Sequence, residues 1–316
     1  MRVAITGGTG FVGRHLADHL AQIGHEVILV ARGNDTSDLE ITARPNVEWV
    51  RTGVGDPAGL RAAFTGVDAV VHCAGINREI GQQTYQAVHV EGTRHVIDAA
   101  RDTGVSKLVM LSFLRARPDC GSPYHESKWA AEEMVRESGI SFTILKSGMI
   151  FGRGDHMLDH LSHALYTFPF FLRVGFHEKP VRPVSIHDVV HVLTASLTDP
   201  RLESTTVPVL GPEELMLSEA AQRVGDVIGR RRATFSAPIW FHRLLAFVAE
   251  LTMRIPLASR AQVRMLAEGV TEPVLYDRAL PDDLRPSTRF APEVIKRELP
   301  AAGRFTARDL RCCLAR

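Results

Sequence analysis

Short apolar runs alternate with helical stretches through the first half of the chain, and this alternation constrains the fold more than any other feature. The runs are rich in β-branched residues: "RVAIT", "EVILVA", "VEWVRT", "DAVVHCAG", "KLVMLS" and "SFTILKSG". Between several of them, leucine, valine and alanine recur at helical spacing. Strands that are apolar along their whole length are buried on both faces. We therefore predict an α/β fold, a doubly wound parallel sheet covered by helices.

A glycine-rich loop follows the first run directly and opens the first helical stretch. In "TGGTGFVG", Gly7, Gly10 and Gly13 have the spacing Gly-x-x-Gly-x-x-Gly. The first glycine permits a tight turn, the second lets the backbone approach a pyrophosphate, and the third allows close packing of helix and strand. The helix N-terminus adds N–H groups and a partial positive charge. Strand, loop and helix in this order predict a Rossmann domain that binds a dinucleotide.

The end of the second strand indicates which dinucleotide is bound. An acidic residue there favours NAD, because it accepts hydrogen bonds from the ribose 2′-OH. Here the strand ends "ILVARGND", with Arg32 and no acidic residue before Asp35. A guanidinium can bind a 2′-phosphate bidentately, so we predict NADP(H). NAD(H) is the alternative if Arg32 is only a solvated charge at the strand end.

The alternation loosens after about Gly152, and this change predicts two parts. We assign residues 1–155 to the NAD(P)-binding Rossmann domain and residues 156–316 to a smaller portion for substrate or partner. Part of residues 181–210 is predicted to return to the sheet. We expect the smaller portion to lie over the carboxyl ends of the strands, where ligands bind in open α/β sheets.

The sequence "YHESK" places Tyr124 and Lys128 four residues apart, on one face of a predicted helix. Pro123 precedes them, as is favoured at a helix start. An ammonium group near a phenol lowers the pKa of the phenol, so we predict that Tyr124 exchanges a proton near neutral pH. Lys128 would tune Tyr124 and bind the nicotinamide ribose. Chance spacing on an ordinary amphipathic helix is the alternative.

These segments together resemble the extended and atypical short-chain dehydrogenase/reductases. The resemblance covers residues 1–230 and rests on "TGGTGFVG", "VVHCAG", "VEGTRHVIDAARDTGVSKLVMLS", "YHESKWAAEE" and "SGISFTILKSGMIFGRGD". "GINRE" and "YQAVHVEGT" are most similar to the branch that contains the accessory subunit of respiratory complex I and its bacterial relatives. The resemblance implies bound NAD(P)(H) and places Tyr124 and Lys128 at the catalytic-pair positions. It also implies cofactor contacts from Thr9, Phe11, Val12, Ala74 and Gly75.

The sequence departs from this family at the catalytic serine. Typical members carry that serine just beyond the fifth strand, but here Phe113 and Leu114 follow Ser112. We take Ser112 as the third candidate catalytic residue, because Ser122 lies too close to Tyr124 to replace it.

Two further departures concern the proton relay and the adenine. His89 replaces the asparagine of the family's relay, and Gly53 stands where an aspartate often lies beside the adenine. The cofactor site thus resembles the family more closely than the substrate site does. We predict an NAD(P)-dependent oxidoreductase or epimerase acting on a small carbonyl or alcohol. The alternative is a nucleotide-binding accessory or assembly factor for a membrane respiratory or quinone-related complex.

Metal and disulfide sites receive little support. His156, His160 and His163 share one helical face and could hold zinc, but no oriented carboxylate follows, so we predict a polar face and no metal. Cys73 is predicted to be a buried small hydrophobe. The adjacent cysteines 312 and 313 are predicted to be exposed in the tail, without a disulfide framework, which is typical of a reducing cytoplasm.

Charge and hydropathy limit the choice of partners. The formal net charge is +1, which does not favour nucleic acid. No run reaches the ~20 apolar residues of a membrane span, and a strand beginning at Arg2 leaves no room for a leader. We expect a cytoplasmic protein, with a peripheral position on the inner face of the membrane as the alternative. Residues 239–255 would make that contact, either with lipid or with a membrane complex; simple packing on the core is the plainer interpretation.

Overall fold

The structure, a computed structural model, describes residues 1–33, 40–253 and 258–306. The chain divides into two compact units. The first unit comprises the described residues of Met1–Ser147, Ile186–Val209 and Pro273–Arg285. The second unit comprises the described residues of Gly148–Ser185, Leu210–Glu272 and Pro286–Arg316.

A seven-stranded parallel sheet forms the centre of the first unit. Its strands are β1 (Arg2–Thr6), β2 (Glu26–Val30), β3 (Val47–Val50), β4 (Ala69–His72), β5 (Lys107–Phe113), β6 (Ser141–Ser147) and β11 (Thr205–Val209). They lie in the order β11-β6-β5-β4-β1-β2-β3, and every neighbouring pair is parallel. The predicted doubly wound α/β fold is therefore confirmed.

The strand order reverses between β1 and β4, which is where ligands bind in open α/β sheets. Thr6, at the end of β1, is in register with Val30 of β2 and His72 of β4. The three strands thus end side by side, and the segments that follow them emerge at one edge of the sheet.

Helices cover this sheet and complete the core of the first unit. They are α1 (Phe11–Gln22), α2 (Pro57–Phe64), α3 (Gly92–Asp102), α4 (Pro123–Arg136) and α6 (Ile186–Ala195). A π-helix (Gln86–Glu91) leads directly into α3, and short 3-10 turns occupy Glu40–Ala43, Pro200–Leu202 and Asp282–Leu284. Local sequence explains the helix starts: the Asp56 carboxylate accepts from the Gly59 N–H, and Pro57 and Pro123 occupy first-turn positions. Leu60, Phe64 and Val96 are buried against the strands.

The second unit contains the remaining elements and has its own apolar core. Its helices are α5 (His156–Thr167), α7 (Leu217–Val227), α8 (Ile239–Thr252), α9 (Arg260–Glu268) and α10 (Pro292–Glu298). Its short strands are β7 (Ile150–Phe151), β8 (Phe170–Val174), β9 (Pro180–Val181), β10 (Val184–Ser185), β12 (Leu215–Met216) and β13 (Ala233–Ala237), which pair as β10-β7, β12-β9 and β13-β8. Phe151, Leu158 and Phe290 lie at the centre of the core. Of the helices in the described ranges, none is long and apolar enough to cross a membrane.

Candidate nucleotide-binding and catalytic site

The glycine loop forms a tight turn against the end of β4. Gly7 has φ +69°, which favours glycine, and its N–H donates to the Val30 carbonyl at 2.9 Å. A Cβ at Gly7 would lie 2.9 Å from the Ala74 Cα, and one at Gly13 would lie 2.3 Å from the Gly7 oxygen. Only glycine therefore allows α1 and β1 to approach this closely, in agreement with the expected turn and packing roles.

The start of α1 can receive an anion. Gly10 is the N-cap, and in this fully described helix no side chain caps the N-terminus and no acidic residue lies in the first turn. A Cβ at Gly10 would meet only the Gly7 oxygen within 4 Å. The N–H groups and the helix dipole fit a pyrophosphate at this position. Three further candidates are partly exposed around this turn: Thr9, Phe11 and Val12.

Arg32 lies directly across Gly53, so the two positions are coupled. A Cβ at Gly53 would lie 2.8 Å from the Arg32 Cγ and 3.0 Å from its Cδ. The exposed Arg32 guanidinium donates to Gln83 Oε1 at 3.0 Å. An aspartate at position 53 would therefore displace the arginine. Asp35, the nearest acidic residue downstream of Arg32, lies outside the described residues.

Lys128 is buried next to Gly75, beyond the end of β4. Its Nζ lies 3.0 Å from where a Cβ of Gly75 would be. Lys128 is only 8% exposed. Burial lowers its pKa to about 8, against the opposing charges of Glu132 and Cys73. An ammonium held at this edge, where the sheet order reverses, is well placed to donate to a ligand.

Tyr124 lies one turn before Lys128 on α4, as the spacing predicts, and is surrounded by rings. The centroids of Tyr85, His89, Phe113 and His125 lie 5.4–5.8 Å from its own. Burial, and secondly Tyr85, raise the pKa of Tyr124 above its ordinary value. The predicted lowering of this pKa is therefore wrong: desolvation by the rings dominates, and the nearby lysine does not reverse it.

His89 connects the π-helix to α4 through defined hydrogen bonds. The Ile76 N–H donates to its Nε2 at 3.1 Å, so Nδ1 carries the proton and donates to Ser127 Oγ at 2.9 Å. Ser127 in turn donates to the Tyr124 carbonyl at 3.0 Å. Burial lowers the pKa of His89 to about 2, with Lys128 adding to the effect, so the ring is neutral. A π-helix often marks a functional position, and here it positions this histidine beside α4.

Ser112 is joined to a buried carboxylate. Its hydroxyl donates to Glu132 Oε1 at 2.5 Å, and Lys146 Nζ donates to Glu132 Oε2 at 3.1 Å. The next residue, Phe113, is the β5 side chain whose ring contacts Tyr124. A role for Ser112 toward substrate stays a prediction. Ser122 is buried and bonds to His125 Nδ1 at 2.6 Å.

Sequence reasoning missed several residues of this site. Glu132 lies four residues after Lys128, on the same face of the helix. Lys146 lies inside the apolar strand β6, where a buried charge requires a partner. Together these two signals could have identified the ion pair between Glu132 and Lys146. Gln83 and Ser127 carry no comparable local signal, because Arg32, which bonds to Gln83, and His89, which bonds to Ser127, are distant in sequence.

The other candidates identify no second site. His156 and His160 have ring centroids 5.6 Å apart, and His163 Nδ1 bonds to the Asp159 carbonyl. Among the residues that the structure describes, no three His, Cys, Asp or Glu side chains are grouped to hold a metal. Cys73 is half-buried rather than fully buried, because it follows the last residue of β4 at the open edge of the sheet. Cysteines 312 and 313 lie outside the described residues.

Comparison with known proteins establishes the class. The family model described as NAD(P)H-binding matches residues 7–168, slightly more than half of the 316 residues. The chain belongs to this NAD(P)H-binding family, and its distant relatives and its fold agree with an extended short-chain dehydrogenase/reductase of the NAD-dependent epimerase-like type. The predicted family is thus confirmed, together with the binding of a nicotinamide dinucleotide.

Individual relatives are distant. An uncharacterised protein of Mycobacterium tuberculosis is 27% identical over 253 residues, which are 80% of this chain and 26% of the relative; the chain thus spans about a quarter of its length. The ceramide reductase of Caulobacter vibrioides is 35% identical over 157 residues, 48% of this chain and 47% of the relative. The mouse mitochondrial NADH dehydrogenase [ubiquinone] 1 alpha subcomplex subunit 9 is 24% identical over 275 residues, 83% of this chain and 70% of the relative.

Solved structures share the fold. The UDP-glucose 4-epimerase of Thermotoga maritima superposes with a TM-score of 0.69 at 16% identity, over 94% of this chain and 97% of the epimerase. The UDP-glucuronic acid 4-epimerase of Bacillus cereus, solved in complex with NAD, gives a TM-score of 0.65 at 16% identity, over 75% of this chain and 86% of that enzyme. At these identities the likeness concerns the fold alone.

Proposed function

We propose that the protein is an NADP(H)-dependent oxidoreductase of the short-chain type that reduces the carbonyl group of a small substrate. One observation carries the proposal: the Lys128 ammonium is buried against Gly75, on the same helix as Tyr124. A buried lysine without a function is unfavourable, because desolvation penalises its charge. The similarity to a ceramide reductase supports reduction as the reaction class.

Tyr124 acts as the acid in this proposal. Its raised pKa keeps the phenol protonated at neutral pH, which suits proton donation to a carbonyl oxygen. Lys128 donates a hydrogen bond to the ribose and stabilises the phenolate that remains after the proton has left. A bound reduced nicotinamide dinucleotide supplies the hydride. The candidate cofactor contacts are Gly7, Thr9, Gly10, Phe11, Val12, Gly13, Arg32, Ala74, Gly75 and Lys128.

The preference for NADP(H) over NAD(H) rests on Arg32. Its guanidinium is exposed at the end of β2, and Gly53 provides the space that its side chain occupies. A planar guanidinium can bind a 2′-phosphate with two parallel hydrogen bonds. We assign the choice of substrate or partner to the second unit and the location of the protein to the cytoplasm.

A second candidate function is that of an accessory factor that binds the nucleotide without turnover. Two observations favour it: the Ser112 hydroxyl is engaged by Glu132, and Phe113 contacts the Tyr124 ring from β5. The similarity to an NADH dehydrogenase subunit adds support. In this case α8 of the second unit, within residues 239–255, would contact the membrane or its complex.

A turnover assay distinguishes the two candidate functions. It combines nucleotide-free protein with NADPH and a panel of aldehydes, ketones and quinones. For a reductase, substrate-dependent loss of NADPH absorbance should fall at least about a hundredfold in Tyr124→Phe, with NADPH affinity unchanged. Tyr85→Phe is the matched control, because Tyr85 lies in the same ring cluster but its hydroxyl donates to the Asn77 carbonyl. Tight NADPH binding without turnover, or turnover that Tyr124→Phe leaves intact, contradicts the reductase.

A further inference from the structure

Helix α8 presents its large apolar side chains to solvent and its small ones to the interior. Trp240 is 66% exposed, Leu244 52% and Leu251 59%. The buried positions of the helix are Ala246 and Ala249. A helix that only packs on a core shows the opposite arrangement, with its large apolar residues inward. The outer side of α8 is therefore built to be covered by something apolar.

Exposed apolar side chains also occur on β13, the strand that directly precedes α8, and on its partner β8. Phe235 of β13 and Phe170 of β8 are exposed, and their ring centroids lie 5.9 Å apart. Ile239, at the start of α8, lies within 3.4 Å of the Cβ that Gly175 would carry, just beyond β8. We call this surface the apolar face; its members are Phe170, Phe235, Ile239, Trp240, Leu244, Phe247, Val248 and Leu251. Exposed apolar side chains concentrated in this part of the second unit mark an interaction site.

Positive charge accompanies the apolar face. Between Ile228 and Met253, the residues of the types Arg, Lys, Asp and Glu are four arginines and one glutamate. Arg230, Arg231 and Arg232 directly precede β13, and Arg243 is exposed on α8 itself. Glu250, the acidic residue, is paired with Arg260 at 2.8 Å.

Not all of this charge is available at the surface. Arg231 is paired with Asp226, whereas the Arg230 guanidinium lies over the Tyr166 ring at 5.7 Å and Arg232 donates to the Leu165 carbonyl. Arg230 and Arg243 are therefore exposed cations, and Arg243 lies on the same helix as the exposed Trp240 and Leu244. An anionic lipid surface matches this combination, whereas a second copy of the chain would bring like charges together.

We propose that the apolar face lies in the interface of a membrane that contains anionic lipids, with α8 parallel to the surface. With 14 residues α8 is about 21 Å long, shorter than the ~30 Å of a hydrocarbon core, which fits a helix lying in the interface. This inference names the partner of the contact surface proposed above and does not depend on turnover.

Vesicle flotation and tryptophan fluorescence test the proposal on the full chain. Wild-type protein should float with phosphatidylcholine vesicles that contain phosphatidylglycerol and much less with pure phosphatidylcholine. Trp240 is the exposed one of the three tryptophans, so its emission should shift to the blue on binding. The double variant Trp240→Ser/Leu244→Ser should bind at least tenfold more weakly, since two large apolar groups no longer enter the interface.

Two further variants control for apolar exposure and for charge. Ile23→Ser removes an apolar side chain with a similar exposure of 51% in the first unit, and it should bind vesicles like wild type. Arg243→Glu should lower the affinity for anionic vesicles roughly tenfold and leave binding to neutral vesicles unchanged.

Four results would overturn the proposal. In the first three, wild-type protein does not float with anionic vesicles, it binds neutral vesicles equally well, or the double variant binds as strongly as wild type. In the fourth, wild type is a dimer, the double variant is a monomer, and neither binds lipid. The last result would assign the apolar face to a second copy of the chain. NADPH affinity, measured for every variant, reports whether the first unit is intact and separates failure of this proposal from failure of the proposed function.

Discussion

Lys128 and Lys146 are both buried in the first unit, and replacing each by methionine should change stability in opposite directions. Lys146 donates to Glu132 at 3.1 Å and to the Ala116 carbonyl at 2.9 Å. Burial lowers the pKa of both lysines, that of Lys128 to about 8, but Lys146 is compensated by this direct bond to a carboxylate. Lys146 is thus part of an ion pair, whereas burial makes the charged form of Lys128 unfavourable.

The magnitude for Lys128 follows from its pKa. A decrease from 10.5 to about 8 corresponds to about 3 kcal/mol of unfavourable free energy in the folded state when the lysine is charged. The unfolded chain holds this proton more tightly, so the cost is complete below pH 8 and fades as the pH rises toward 10.5. Lys128→Met should therefore raise the free energy of unfolding by about 1–3 kcal/mol at neutral pH, allowing for imperfect packing of the new side chain.

Lys146→Met should lower the free energy of unfolding by about 3 kcal/mol, because Glu132 then remains buried with only Ser112 and Arg136 as partners. Denaturant unfolding of nucleotide-free protein, at neutral pH and at about pH 10, measures both effects. The advantage of Lys128→Met should shrink at the higher pH. If Lys128→Met instead destabilises the protein as much as Lys146→Met does, Lys128 is a structural lysine and its proposed ligand role fails.

Three further predictions concern the cofactor and the substrate site. Arg32→Ala should weaken NADPH binding at least tenfold and leave NADH binding unchanged, because one charge-assisted contact to the 2′-phosphate is lost. Gly53→Asp should have a similar effect, since its Cβ would lie 2.8 Å from the Arg32 Cγ. Calorimetry measures both affinities, and equal losses for the two nucleotides would refute the assignment. Carbonyl reduction should decline as the pH rises above about 8, where Lys128 loses its proton, and a rate that stays flat to pH 10.5 would show that the ammonium is not needed. Ser112→Ala should cost about 1 kcal/mol of stability, because Glu132 loses a hydrogen bond. A loss of turnover as large as that of Tyr124→Phe would make Ser112 a substrate contact, whereas turnover within a few-fold of wild type would restrict its role to the bond with Glu132.

Local pattern was sufficient for strands β1–β6 and for the glycine turn that follows β1. The run from Arg2 to Thr6 is strand β1 as expected, the glycines after it form the turn, and Pro123 begins the helix that carries Tyr124 and Lys128. These features depend on residues close together in the chain: apolar periodicity, a positive φ and an i, i+4 spacing. A single sequence therefore contains all the information that they require.

Tertiary structure decided the chemistry of the site, because desolvation and partner choice depend on residues that are far apart in sequence. Ser112 bonds to Glu132 on a helix that follows, and the latter pairs with Lys146 on the next strand. The pKa of Tyr124 rises where the i, i+4 spacing alone predicted a fall, since the rings of Tyr85 and Phe113 that help to desolvate it come from other segments. The sequence by itself therefore determined which side chains share the α4 helix. Only the folded chain decided how deeply each is buried and which charges it meets.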